Sequence, residues 1–142
     1  MIRKFRKEDA EECSKIISDC LDKSKDLTKK AKKHLKSTST PEVLIKKSRD
    51  RNYFVYEKNN ILCGMGALKN NEVKTMYVPP EFQNKGIGSV ILKRIEKEAK
   101  KNKIKKLFLY THPNAVNFYL NNGFKIIKEF KDEEMTIVYM EK

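Results

Sequence analysis

The chain has 142 residues, of which 39% are hydrophobic and 36% charged, and its formal net charge is +13. This length suits one domain over residues 1–142 with a core of its own, and the composition excludes an intrinsically disordered chain. The longest apolar stretch, residues 61–68, is too short to cross a bilayer, and the first residues lack the apolar segment of a signal peptide. The sequence therefore predicts a cytoplasmic protein without a membrane partner.

The first 50 residues predict one short strand followed by helices. Residues 1–6 alternate apolar and basic side chains, which is typical of a strand. Apolar positions in residues 10–21 follow helical spacing behind an acidic first turn. The polar, lysine-rich residues 22–40 fit either an extension of this helix or a mobile loop. Thr40, followed by proline, is typical of an N-cap and predicts a helix over residues 41–49.

The middle of the chain predicts an antiparallel meander of three strands. Residues 53–56, 61–68 and 72–78 are rich in aromatic, aliphatic and β-branched side chains, and turns containing asparagine separate them. The pair Pro79 and Pro80 ends the last of these strands, because proline cannot donate to the ladder.

The last third alternates helices and strands. Residues 87–101 repeat apolar side chains at i, i+3, i+4 and i+8 and predict the clearest helix, with lysines near its C-terminal end. A strand over residues 104–111, a short helix over residues 115–122 and a hairpin of residues 124–130 and 135–140 follow. The order of the elements predicts a mixed α/β domain.

Cysteines and histidines are too few and too scattered for a disulfide framework or a metal site. Cys13, Cys20 and Cys63 are odd in number and lack the paired spacing of zinc ligands. His34 and His112 lie far apart in the sequence. We expect reduced thiols, with Cys63 in the core, and no metal.

A glycine-containing segment between a predicted strand and a predicted helix carries the first functional signal. It runs from Gln83 to Ser89, and Gly86 and Gly88 let its backbone N–H groups converge on one point. The positive N-terminal end of the following helix lies at the same place, and Lys85 adds a charge. The segment predicts a cradle for a phosphate or pyrophosphate, although it is neither a P-loop nor a dinucleotide fingerprint.

The residues around this cradle resemble a signature of the GNAT superfamily of acyl-CoA-dependent N-acyltransferases. A strand ending in Val-Pro-Pro leads to Gln-x-x-Gly-x-Gly over residues 83–88 and then to an amphipathic helix. Residues 114–124 are similar to the second signature of that family, which begins with asparagine, contains a Phe-Tyr pair and ends with Gly-Phe. The opening strand and helix fit as well, so the resemblance covers nearly the whole chain. Gln83 stands where arginine is commoner, and Asn84 where a small or basic residue is usual.

The resemblance implies the GNAT fold, a mixed and mostly antiparallel sheet of six to seven strands flanked by about four helices. It also implies an N-acetyltransferase that uses acetyl-CoA as co-substrate and transfers the acetyl group to an amine by direct attack in a ternary complex. The pyrophosphate would be held by the cradle, namely Gln83, Asn84, Lys85, Gly86, Ile87, Gly88 and Ser89.

Four further residues are implied as contacts of the coenzyme. Met76, Tyr77 and Val78 would pair through their backbone with the pantetheine arm, and an N–H of Met76 or Val78 would polarise the thioester carbonyl. Asn114 would contact the pantetheine. The anionic cofactor would also account for the nine basic and two acidic side chains of residues 82–106.

Two side chains are implied as catalytic groups. Tyr119, which would also contact the cofactor, is the acid for the departing thiolate; the alternative is a packing residue beside Phe118. Glu72 is the base, directly or through water; the alternative is a solvated carboxylate at a strand end. His112 fits a turn residue better than a proton relay, and Tyr77 either lines the acceptor groove or packs.

The acceptor stays open between small-molecule and peptide amines: a polyamine, an aminoglycoside, an amino acid, a protein lysine or a protein N-terminus. Residues 132–134 form an acidic hairpin tip, which fits a solvated turn better than a cation site. Nucleic acid is not an expected partner, because Asp22 precedes and Asp26 interrupts the lysines of residues 23–33, and no aromatic residue lies among them. We expect a monomer or homodimer. The alternative function is a non-catalytic module that senses acyl-CoA or binds nucleic acid.

Overall fold

A computed structural model describes residues 1–133 and 135–142, and in this part of the chain it contains seven strands and five α-helices. The strands are β1 (Ile2–Lys4), β2 (Asn52–Lys58), β3 (Ile61–Lys69), β4 (Glu72–Tyr77), β5 (Phe108–Thr111), β6 (Lys125–Lys131) and β7 (Thr136–Glu141). The helices are α1 (Ala10–Lys23), α2 (Lys29–Ser37), α3 (Pro41–Lys47), α4 (Ile87–Lys101) and α5 (Val116–Asn121).

The described strands form one sheet in the order β1-β2-β3-β4-β5-β7-β6. Neighbouring strands are antiparallel except β4 and β5, which are parallel. The prediction of a mixed, mostly antiparallel sheet is therefore confirmed, with the strand number at the upper end of the expected range. The described helices number five rather than about four, because residues 29–37 form a helix of their own.

The lysine-rich residues 22–40 are largely helical. α1 ends at Lys23, and α2 begins after Thr28, whose hydroxyl accepts a hydrogen bond from the N–H of Ala31 at 3.1 Å. None of the α2 residues is buried. Because α2 has no buried apolar stripe, the hydrophobic pattern of the sequence did not indicate a helix here. The signal that the sequence did offer was the capping threonine, Thr28.

The strand predicted from residue 104 starts later, at Phe108. The chain is still closing α4 at residue 104, since the Ile104 N–H donates to the Ala99 carbonyl at 2.9 Å and Lys103 has a φ of 60°. This capping turn uses residues that the hydrophobic pattern alone assigned to the strand.

Different helices cover the two faces of the sheet. α4 packs on β2 and β3, and its Ile91, Leu92 and Ile95 are fully buried. α1 packs on the opposite face against β3 and β4, where Ile17 and Leu44 belong to a second core cluster. α1 does not cover this face of the sheet as far as β5, where Tyr110 is 53% exposed.

A bulge in β4 was not predicted from the sequence. Thr75 has a φ of 56°, and the pairing register with β3 shifts at this point. Met76 then packs on the α4 face, where its sulfur lies so close to Gly66 that a Cβ at that glycine would collide with it. Tyr77 packs on the α1 face instead. The bulge thus shifts the alternation of side chains by one residue, so that Met76 rather than Tyr77 lies on the α4 face just before the cradle.

A buried ion pair fastens the start of the chain to the sheet. The Arg3 guanidinium donates to both carboxylate oxygens of Asp9 at 2.8 and 2.9 Å, and the Arg6 N–H adds a bond of 2.7 Å. Burial of Asp9 raises its pKa, but the hydrogen bonds from Arg3 and Arg6 outweigh burial, so the net shift is downward. The carboxylate form therefore stabilises the fold.

We expect Asp9→Asn to lower the free energy of unfolding at pH 7 by about 2 kcal/mol, because it removes the closer of the two carboxylates that pair with Arg3 and leaves only Glu57, at 3.3 Å. Since folding lowers the pKa of Asp9, its contribution is present above the unfolded value near 3.9 and is lost as the pH falls through the folded value. Urea unfolding of both proteins at pH 7 and at progressively lower pH measures this. The exposed Asp19→Asn is the control, and a deficit that does not shrink in acid would contradict this account.

Candidate active site

A cleft opens where β4 and β5 part. In the described ladder these two strands pair at Glu72 and Phe108 alone, and beyond this pair they diverge. A cavity of about 440 Å³ lies between the end of β4, the start of α4 and the start of α5. The cavity brings together most of the predicted cofactor residues: Met76, Val78, Gln83, Asn84, Gly86, Ile87, Gly88, Ser89, Asn114 and Tyr119. The side chains of Tyr77, Lys85 and Glu72 are not part of its lining.

The two glycines of the cradle serve different purposes. Gly86 has a φ of 81°, and a Cβ placed there would meet no atom within 4 Å, so it combines a left-handed turn with open space towards the cleft. Gly88 leaves room for Phe118, whose ring carbon would lie 2.9 Å from an added Cβ. The Gln83 amide donates to the Val78 carbonyl at 2.9 Å and ties the loop to the end of β4.

The start of α4 offers an anion site to this cleft. The helix begins at Ile87 without a side-chain cap and without an acidic residue in its first turn. Its first N–H groups have no partner within the helix, and Ile87, Gly88 and Ser89 line the cleft. The geometry suits a phosphate, because unpaired N–H groups and the positive helix end act on the same position.

The basic surplus of residues 82–106 is not gathered at the cradle. Lys85 belongs to the cradle segment, but its Nζ lies 5.8 Å from the Phe82 ring centroid and it does not line the cleft. Three other cations lie at least about 15 Å along the helix from its start, which exceeds the screening length of physiological salt: Lys97, Lys100 and Lys101. Lys103, Lys105 and Lys106 follow the end of the helix. The role of this surplus towards the cofactor phosphates stays a prediction.

Tyr119 both packs and borders the cleft. It is 6% exposed, and its ring makes edge contacts with Phe118 at 5.0 Å and Phe124 at 5.7 Å between centroids. The residue lines the cavity, and within residues 1–133 and 135–142 its hydroxyl has no hydrogen-bond partner. Burial, with a smaller effect of the nearby Tyr77, raises its pKa, so the phenol keeps its proton. A packed ring with an available hydroxyl fits a proton donor.

Glu72 and Tyr77 lie on the other face of β4. Both are paired with β3 residues of the α1 face, and Glu72 sits at the closed end of the cleft beside Phe108. Its carboxylate accepts a hydrogen bond from Lys74 at 3.3 Å. Burial raises the pKa of Tyr77 to about 12. The structure therefore does not bring Glu72 and Tyr119 into one cavity; four strand positions separate Glu72 from Met76.

Sequence reasoning missed three residues that line the cleft: Phe82, Ala115 and Phe118. The Phe-Tyr pair of the second signature led us to expect one ring in the site and one in the core, whereas both rings reach the cleft. Phe82 is an isolated aromatic residue in a loop, where no periodic pattern marks its direction.

An aromatic cluster on the open face of the sheet was also missed. The rings of Phe108, Tyr110 and Tyr139 lie 5.2 to 6.0 Å apart between centroids. The Tyr139 hydroxyl donates to Glu141 at 2.6 Å, and this bond raises the pKa of the tyrosine to about 12. The pairing of Phe108 with Glu72 places the cluster beside the predicted base. The alternation of aromatic residues around Leu109 was the signal in the sequence.

The remaining candidates lie elsewhere. Cys63 is buried, as expected, and His112 has a buried Nδ1 without a partner in the part of the chain that is described. The acidic tip falls partly on residue 134, which is outside the described residues. Among the residues with described positions, no three His, Cys, Asp or Glu side chains cluster as metal ligands do. No helix in these ranges is both long and apolar enough to span a membrane.

Known proteins are similar to this chain in sequence and in fold. A family model described as an acetyltransferase (GNAT) domain matches residues 9–142. The amino-acid acetyltransferase of Pasteurella multocida is 27% identical over 96 residues, covering 59% of this chain and 22% of that protein. The spermidine N(1)-acetyltransferase of Thermoplasma acidophilum is 41% identical over 58 residues, covering 39% of this chain and 36% of that protein. The chain thus matches only about a fifth to a third of the length of these curated relatives.

Solved structures extend the likeness over the whole chain. The PaiA N-acetyltransferase of Thermoplasma acidophilum, solved in complex with coenzyme A, is 26% identical with a TM-score of 0.85 and covers 100% of this chain and 97% of that one. A GCN5-related N-acetyltransferase of Rhodopseudomonas palustris is 16% identical with a TM-score of 0.89, and the match covers 100% of this chain and 94% of that one. At this identity the likeness shows the fold alone. The family model, these structures and the splayed sheet agree: the chain belongs to the acetyltransferase (GNAT) family.

Proposed function

We propose that the protein binds acetyl-CoA in the cleft between β4 and β5 and transfers its acetyl group to an amine. The observation that carries this proposal is the meeting of three features in one cavity. They are the unpaired edge of β4, the uncapped start of α4, and the Tyr119 hydroxyl without a partner among the described residues. Membership of the GNAT family supports it.

The edge of β4 and the cradle would hold the coenzyme. Backbone groups of Met76 and the N–H of Val78 lie where β4 has left its neighbour, so they would pair with an extended pantetheine arm as with an added strand. The Val78 carbonyl already accepts from the Gln83 amide. The N–H groups from Gly86 to Ser89 would hold the pyrophosphate. Asn114 lines the cleft, and it would contact the pantetheine.

The chemistry is a direct attack of the amine nitrogen on the thioester carbonyl, which acetyl-CoA supplies as an activated acyl donor. The N–H of Met76 or Val78 would stabilise the negative charge that develops on the carbonyl oxygen. As the new C–N bond forms and the C–S bond breaks, Tyr119 would donate to the departing sulfur. The proton lost by the amine would pass to Glu72, through water because of the distance along β4.

We propose that the acceptor enters over the open face of the sheet. Glu72 and the cluster of Phe108, Tyr110 and Tyr139 lie together on that face, and a carboxylate with aromatic rings suits a protonated amine before it loses its proton. Two relatives are named for small amines, an amino acid and spermidine, which favours a small-molecule acceptor.

The experiment is acceptor-dependent release of coenzyme A thiol from acetyl-CoA with a panel of polyamines, amino acids, aminoglycosides and peptides. We expect release with a small primary amine and formation of its N-acetyl product, identified by mass. Tight binding of acetyl-CoA without release for any acceptor would favour the alternative, a module that senses acyl-CoA. Failure to bind acetyl-CoA at all would overturn the proposal.

We expect Glu72→Gln to lower kcat about ten- to hundredfold at pH 7 and to leave acetyl-CoA affinity unchanged, because it removes the proton acceptor alone. The loss should shrink at high pH, where a primary amine with a pKa near 10.4 is increasingly neutral without help. A pH profile of kcat measures this, with the exposed Glu42→Gln as control. An equal loss at every pH would remove Glu72 from the role of base.

A further inference from the structure

The outer strand β6 is an unprotected edge of the sheet. All seven of its residues are exposed, and its partner is β7 on one side only. Ile127 is 54% and Phe130 45% exposed. The opposite edge strand, β1, has three residues. A seven-residue edge with free backbone groups and apolar side chains is a template for another strand.

The ladder with β7 determines which backbone groups of β6 are free. The Asp132 N–H donates to the Met135 carbonyl at 3.1 Å at the hairpin end, and from there Lys131, Phe130 and Glu129 oppose successive residues of β7. Hydrogen-bonded and non-hydrogen-bonded pairs alternate in an antiparallel ladder. The backbone groups of Phe130 therefore point to β7, whereas those of Glu129 and Lys131 point outward.

Symmetry and charge select one pairing of β6 with a second copy of itself. A two-fold axis perpendicular to the sheet leaves every side chain on the same face in both copies. Directly opposed residues of an antiparallel pair also point to the same face, so the axis must pass where one residue lies opposite its own copy. A centre at Glu129 or Lys131 opposes two like charges, and a centre at Lys125 or Lys128 does the same. A centre at Ile126 or Ile127 falls on the bulge between Ile126 and Lys128, where the regular ladder is interrupted. A centre at Phe130 opposes Glu129 to Lys131 twice, and these are the residues whose backbone groups point outward.

We propose that the protein forms a homodimer in which β6 pairs antiparallel with β6 of a second copy, centred on Phe130. Each Glu129 then forms a hydrogen-bonded pair with Lys131 of the other copy. The two Phe130 rings meet at the centre, on the face where Lys128 already lies 4.9 Å from the Phe130 centroid. The pairing joins the two sheets into one sheet of fourteen strands.

Reversal of the paired charges tests this arrangement in the chain of 142 residues. Glu129→Lys alone and Lys131→Glu alone each turn two attractive pairs into repulsive ones, and we expect each to weaken dimerisation about tenfold or more. The double variant Glu129→Lys with Lys131→Glu exchanges the charges and should dimerise like the native protein. Sedimentation equilibrium over a wide range of concentration measures the dimer dissociation constants.

A mixture of the two single variants is the more specific test of the pairing. In the heterodimer every lysine at these positions faces a glutamate, so two proteins that dimerise poorly alone should associate when mixed. Lys105→Glu, an exposed charge outside the pairing, is the control and should leave the dissociation constant unchanged. All variants should keep native circular dichroism, because β6 is fully exposed. A native protein that stays monomeric, or single variants that dimerise normally, would overturn the proposal; so would a mixture that does not recover association.

Discussion

Replacing Tyr119 with phenylalanine is expected to reduce turnover about a hundredfold, with acetyl-CoA affinity nearly unchanged. The cradle and the β4 edge are built from backbone, so the loss of one hydroxyl does not touch them. The hydroxyl has no hydrogen-bond partner among the described residues, and its removal leaves no group unsatisfied. The free energy of unfolding should therefore change by no more than about 0.5 kcal/mol.

The raised pKa of Tyr119 limits the size of this effect. Burial keeps the phenol protonated over the accessible pH range, so it remains a donor throughout. The departing thiol has a pKa near 8.5, well below that of the buried phenol, so complete proton transfer to the sulfur is uphill. Stabilisation by a hydrogen bond accounts for an effect at the lower end of the range for general acids.

Single-turnover kinetics with saturating acetyl-CoA measure the step that Tyr119→Phe should slow. Tyr56→Phe on β2 is the matched control, because it makes the same chemical change outside the cleft. Full turnover of Tyr119→Phe when chemistry limits the rate would identify Tyr119 as a packing residue only.

Gly86→Val should weaken acetyl-CoA binding at least about a hundredfold, through the loss of two or more charge-assisted hydrogen bonds from the cradle. Gly86 has a φ of 81°, which a β-branched residue adopts poorly, and its Cβ would point into the open cleft. The backbone strain itself should cost about 1–2 kcal/mol of stability.

Gly123→Val separates strain from cofactor binding. Gly123 has a φ of 91° at the end of α5, so valine meets the same backbone penalty there, but its neighbour is the flexible Lys142 side chain. We expect similar losses of stability in the two variants and a loss of affinity in Gly86→Val alone, measured by calorimetry. Normal binding of acetyl-CoA to Gly86→Val would show that the cradle lies elsewhere.

Elements with strong local signals were predicted well from the sequence. α4 has a full apolar stripe, and α3 has a capping threonine, Thr40, whose hydroxyl accepts the N–H of Val43 at 3.4 Å. The features that were missed depend on contacts distant in the sequence. The Thr75 bulge exists because β3 and β4 change register, and no single residue announces it.

The positions around the cleft were most readable in the sequence where local signals mark them. Cradle positions follow from the glycines and the helix start, both of which are local. The directions of Glu72 and Tyr77 depend on strand alternation and on the bulge between them, so their placement on the face opposite Met76 required the folded sheet. The clustering of Phe108 with Tyr139 likewise depends on the pairing of β5 with β7.

The parting of β4 and β5 makes one line of the sheet mechanically different from the rest. Elsewhere adjacent strands are held by ladders of directional hydrogen bonds, whereas here a single rung and the bond from the Phe108 N–H to the Asn71 carbonyl at 3.1 Å join them. Beyond that rung the connection passes through packed side chains such as Val73 and Leu109. Side-chain packing lacks the strict geometry of a ladder, so we expect the sheet to deform more easily along this line than elsewhere, and the width of the cleft to change with it.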